Sequence, residues 1–99
     1  MNLRQIHHVA IIVSDYKKSR KFYVETLGFQ IIRENYRPSR GDYKLDLKLE
    51  GCELELFSAS GNPPRPSYPE ACGLRHLAFR VDDVDAAIAE LREKGIETE

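Results

Sequence analysis

Two copies of one short pattern constrain what this chain can fold into more than any other feature. The first copy is His8-Val9-Ala10-Ile11-Ile12-Val13-Ser14-Asp15 and the second is His76-Leu77-Ala78-Phe79-Arg80-Val81-Asp82-Asp83. His, Ala, Val and Asp occupy the same four offsets, at a constant separation of 68 residues. A helical pattern ending in glycine follows each copy, at Gly28 and at Gly95. A duplicated unit brings equivalent side chains together about a pseudo-two-fold axis. Two histidines at equivalent places therefore point to one shared site, with a metal ion as its expected occupant.

Ninety-nine residues are expected to form one domain. Within it, residues 1–60 read as a first module, 61–73 as a linker and 74–99 as part of a second module. With 41% hydrophobic and 31% charged residues and a net charge of −1, the composition is that of an ordinary globular protein. No basic face suited to nucleic acid or an anionic membrane is visible. The basic run Lys17, Lys18, Arg20 and Lys21 reads as the solvated side of a helix. No apolar stretch is long enough to span a bilayer, and the amino-terminal residues do not read as a signal peptide. Cys52 and Cys72 lack the number and spacing of a disulfide framework or a zinc knuckle, so both read as reduced thiols in a cytoplasmic protein.

Ile6 to Val13 reads as a strand whose alternating faces carry His8, Ala10 and Ile12 on one side and His7, Val9, Ile11 and Val13 on the other. Asp15, with Ser14 as its neighbour, suits the N-cap of a helix that runs through Ser19, Phe22, Tyr23 and Leu27. Gly28 suits the left-handed residue that ends it. Phe29–Glu34, Tyr43–Glu50 and Cys52–Phe57 read as three further strands, with a turn at Gly51, so the first module is β-α-β-β-β. Ser58 to Gly73, rich in proline, reads as an extended connection. Leu74 to Val81 reads as the first strand of the second module. Asp83 then caps an amphipathic helix marked by Val84, Ile88 and Leu91, and Ile96 begins another strand. A half-module of this kind leaves apolar surface bare. The chain therefore reads as a truncated form of a longer protein, or as a short protein that completes its sheet with a partner chain.

The more apolar faces of the two repeat strands are expected to pack on helices, which turns His8 and His76 to the other side of the sheet and His7 toward the helices. Glu55 falls on the equivalent inward face of the fourth strand, with Glu53 on the same side as its competitor. A buried ionised carboxylate needs a partner, and a divalent cation supplies one. Two neutral imidazoles and a carboxylate suit Zn, Ni, Co, Fe or Mn. The 47-residue step from His8 to Glu55, repeated from His76, lands at position 123, past Glu99. The repeat thus places a fourth ligand outside this sequence.

These residues, with Phe22-Tyr23 before Leu27-Gly28-Phe29 and with Glu53-Leu54-Glu55-Leu56-Phe57, resemble the vicinal oxygen chelate superfamily. That superfamily includes glyoxalase I, bleomycin- and fosfomycin-resistance proteins, methylmalonyl-CoA epimerase and extradiol dioxygenases. The resemblance covers nearly the whole chain. It implies an α+β fold of paired βαβββ modules forming a cupped mixed sheet with helices outside, the second module being truncated here. It maps the family's metal positions onto His8, Glu55 and His76. It also implies a divalent metal that holds two adjacent oxygens and stabilises an oxyanion as a Lewis acid, and a homodimer. No catalytic residue is assigned, since the glutamate that often moves the proton has its counterpart at the absent position.

The activity expected from the resemblance is a metal-dependent glyoxalase-like lyase or isomerase acting on a small oxygenated metabolite, such as the hemithioacetal of an α-oxoaldehyde and a thiol. An iron-dependent ring-cleaving dioxygenase and a non-catalytic binding or resistance protein are the alternatives. Arg33 and Arg80 are weighed as anchors for an anionic substrate group against a role in surface salt bridges.

Overall fold

The computed structural model describes all 99 residues and divides into two compact units, Met1–Pro64 and Arg65–Glu99. The first unit contains β1 (His8–Ile12), α1 (Tyr16–Arg20), a π-helical stretch (Lys21–Thr26), β2 (Gln30–Arg37), β3 (Asp42–Leu49) and β4 (Cys52–Ala59). The strands form one mixed sheet in the order β1-β4-β3-β2. β1 runs parallel to β4, while β3 is antiparallel to both β4 and β2. This is the β-α-β-β-β order read from the sequence, and the chain is α+β.

Alternation on β3 and β4 builds the core. Leu45 and Leu47 of β3 face Leu56 and Leu54 of β4 across the ladder. With Val13 these leucines form the buried cluster, against which Val9, Ile11, Tyr16, Tyr23, Val24, Phe29 and Ile31 pack. The helical segment therefore covers the leucine face of the sheet, and His8, Ala10 and Ile12 occupy the other face of β1.

Asp15 caps α1 by accepting the Lys18 N–H at 3.1 Å. The helix expected to run unbroken to Leu27 instead widens after Arg20. There the Leu27 N–H reaches the Phe22 carbonyl, five residues back, at 2.9 Å. Gly28, at φ +83°, then turns the chain so that the Phe29 N–H bonds the Tyr23 carbonyl. α1 is tied to the sheet by Glu34 of β2. Its carboxylate accepts from the Tyr16 hydroxyl and from Arg20, at 2.7 and 3.2 Å for the two guanidinium nitrogens. Hydrogen bonds from Arg20 and Tyr16 hold the Glu34 carboxyl below its usual range.

β2 carries an irregularity that alternation alone does not foresee. Ile31 pairs with Leu47 but Arg33 pairs with Asp46, so Ile32 is an extra residue in the ladder. The bulge turns Arg33, Asn35 and Arg37 away from the helix side and onto the face that carries His8.

In the second unit, α2 (Val84–Glu93) is capped by Asp83, which accepts the Ala86 N–H at 3.0 Å. Gly95, at φ +81°, closes α2 as the Ile96 N–H reaches the Leu91 carbonyl at 2.9 Å. The strands expected at Leu74–Val81 and from Ile96 do not form. A strand needs a ladder partner, and β1 finds its partner in Glu53–Phe57. No helix in either unit is long and apolar enough to cross a membrane.

The two faces of the sheet should respond differently to truncation. Leu56→Ala, at a fully buried position, is expected to cost about 2–5 kcal/mol in urea unfolding. Ile12→Ala, at a position 68% exposed on the opposite face, is expected to cost less than about 0.5 kcal/mol.

Candidate metal and substrate site

β1 and β4 bring His8 and Glu55 together. In the parallel register His8 lies opposite Glu53 and Ala10 opposite Glu55, and His8 Nε2 lies 3.9 Å from Glu55 Oε1. The methyl group of Ala10 leaves open the space beside this pair. Their side chains are 45% and 17% exposed, so the pair is reachable from solvent.

The donor set fits a divalent cation. Imidazole nitrogen and carboxylate oxygen each bind such ions at about 2.0–2.2 Å, so two bonds together span slightly more than the observed gap. His7 and His8 stand nearly perpendicular, with ring centres 5.1 Å apart and Nδ1 atoms 2.9 Å apart. One Nδ1 must carry the shared proton, which engages that side of the His8 ring and leaves Nε2 toward Glu55. The expectation that His7 points to the helices is therefore corrected. The ladder begins at His8, so strand alternation does not govern the His7 side chain, which is exposed beside its neighbour.

Glu55 is also held from the other side. Lys44 Nζ lies 3.8 Å from Glu55 Oε2 and 2.8 Å from Asp46 Oδ1. Asp46 is 1% exposed and receives a second bond from Arg33 Nε at 2.7 Å. Burial alone would raise the Asp46 carboxyl, but hydrogen bonds and charge from Lys44 and Arg33 outweigh it and hold the group below its usual range. Arg33 also reaches Glu53 at 3.5 Å. Glu53 is thus engaged by an arginine while Glu55 faces the imidazole, and Arg33 spends its guanidinium on salt bridges.

His76 and Arg80 belong to the second unit, where both side chains are exposed on a run without a ladder. Within the first unit no group of three metal-ligating side chains forms. Lys44 and Asp46 are participants that the reading of the sequence passed over. Their signal was present in Asp42, Lys44, Asp46 and Lys48, the charged residues that alternate with the leucines of β3.

The profile of the Glyoxalase/Bleomycin resistance protein/Dioxygenase superfamily matches residues 5–99. The chain belongs to that superfamily. It is 61% identical over 100 aligned positions to the uncharacterized protein YwkD of Bacillus subtilis (strain 168), covering all of this chain and 78% of that protein. It is 57% identical to the crystal structure of a glyoxalase family protein from Enterococcus faecalis, with a TM-score of 0.92, covering 100% of this chain and 79% of that one. More distant relatives are the human mitochondrial methylmalonyl-CoA epimerase, at 31% identity over 96% of this chain and 56% of that protein, and a probable lactoylglutathione lyase of Synechocystis, at 31% over 89% and 68%.

The buried carboxylate gives a pH signature. A carboxyl whose folded value is lowered stabilises the fold above its unfolded value, about 3.9 for Asp, and that contribution is lost as pH falls through the folded value. Asp46→Asn should cost about 2 kcal/mol near pH 7 by leaving Lys44 and Arg33 without their shared acceptor. It should also make the acid loss of stability below about pH 4 shallower than in the parent, as measured by urea unfolding at a series of pH values.

Proposed function

We propose that the chain supplies the metal-holding part of a lyase, isomerase or epimerase acting on a small oxygenated metabolite. A divalent cation is its cofactor and a homodimer its working form. The observation that carries this reading is the approach of His8 Nε2 to Glu55 Oε1 on the open sheet face, at a spacing one cation can bridge. Family membership supports it, as does the presence of a lyase and an epimerase among the distant relatives. A hemithioacetal of an α-oxoaldehyde and a thiol is the first substrate to try.

When bound, the cation would supply Lewis-acid polarisation of substrate oxygens. The chain's own residues divide the remaining work. His8 and Glu55 hold the ion. His7 orients the His8 ring, and Lys44 holds the Glu55 carboxylate through its other oxygen. Ala10 leaves space for the substrate. A second reading, a binding protein without turnover, is favoured by the same Lys44, whose ammonium at 3.8 Å already offers Glu55 a positive partner.

Metal-linked stability separates the two. Saturating Zn, Ni or Mn is expected to raise the melting temperature of the full chain by about 5–10 °C. His8→Ala and Glu55→Gln are each expected to remove most of that gain. No gain with any of the three metals would favour the binding protein.

A further inference from the structure

A hollow of about 460 Å³ lies on the same sheet face in the first unit, lined in part by Ala10, Ile12, Phe57, Arg37 and Arg40. Its size falls within the range of small-molecule sites. Its position follows from strand alternation. Ala10 and Ile12 are the next two residues after His8 on that side of β1, and Phe57 is the next after Glu55 on β4. The hollow therefore adjoins the His8–Glu55 pair, since Ala10 lies opposite Glu55 in the ladder.

Its floor is apolar and its rim is cationic. Arg37 is fixed there: its Nε and Nη2 bond the two carboxylate oxygens of Asp42 at 2.7 and 2.6 Å, and its guanidinium lies over the Phe57 ring at 5.0 Å from the centroid. Asp42 neutralises that charge. Arg40, in the turn between β2 and β3, is exposed and lines the same hollow; its charge also acts on the Asp42 carboxylate. Two guanidiniums and one carboxylate leave a single net positive charge at the rim above an apolar floor, the chemistry that receives one carboxylate on a short hydrocarbon chain.

We infer that the hollow binds the tail of the substrate and that Arg40 selects a terminal carboxylate on it. The substrate class is then a small acid carrying its adjacent oxygens at one end and a second, anionic group at the other. This deepens the proposed function and rests on that reading for the end held by His8 and Glu55. The hollow itself is assigned from its own residues.

Two acids test the inference, 2-oxoadipate and 2-oxohexanoate, which share chain length and oxo-acid head and differ in the terminal carboxylate. Each is titrated by calorimetry into the full chain, metal-free and with Zn. The expected result is about tenfold tighter binding of 2-oxoadipate in both states. Arg40→Ala should erase that preference without weakening 2-oxohexanoate, and Arg40→Lys should restore part of it. An unchanged melting temperature checks that the exposed turn still folds. Equal affinity for the two acids, a preference that survives Arg40→Ala, or no binding of either acid would overturn the inference. A metal-free preference with no gain from Zn would uphold the hollow while contradicting the metal reading, and a gain from Zn with no preference would do the reverse.

Discussion

The parallel register of β1 on β4 is the constraint on which the rest of the first unit depends. It sets Ala10 opposite Glu55 and so brings the His8 imidazole beside that carboxylate. Because side chains alternate along a strand, a slip of one residue would turn His8 into the helix layer and Val9 out of it. Val9 and Ile11 resist such a slip, because they pack on the buried leucines of β3 and β4. The site and the core are thus two sides of one register, and the energy that specifies the first comes from the second.

The charged face depends on a second device, the bulge at Ile32. Without the extra residue, Arg33 and Arg37 would project to the helix side and Glu34 would leave it, which would break both sets of ion pairs. With it, Arg33 meets Asp46 and Arg37 meets Asp42. Asp46 is the centre of the network that results. Its carboxylate is inaccessible and shared by two cations, and one of these, Lys44, extends the chain of contacts to Glu55. The same arrangement neutralises Arg37 and leaves Arg40 as the cation at the hollow's edge.

Much of this was legible in the residues alone. The duplicated pattern singled out His8, alternation assigned the faces of β1, β3 and β4, and Asp15, Asp83, Gly28 and Gly95 marked the helix ends. Alternation also ranked Glu55 among the inward carboxylates of β4. What escaped had identifiable physical causes. The bulge is a tertiary accommodation between two ladders, and the Ile31-Ile32 doublet does not announce which residue is extra. The π-helical stretch after Arg20 changes hydrogen-bond spacing without changing composition. Leu74–Val81 has the pattern of a strand, but a pattern supplies no partner, and no strand of the sheet pairs with it. Lys44 and Asp46 were visible as charges alternating with leucines, yet charge on an open sheet face ordinarily signals solvation and drew no attention.

The central claim is that His8 and Glu55 hold one divalent ion between them. Paramagnetic broadening reads this residue by residue: Mn is added in small steps to the isotopically labelled full chain while amide and imidazole signals are followed by NMR. The account predicts that the resonances of His8, Ala10 and Glu55 broaden first and together, and that excess Zn restores them. Broadening that begins instead among the exposed acids of α2, or that leaves the His8 ring untouched, would contradict it.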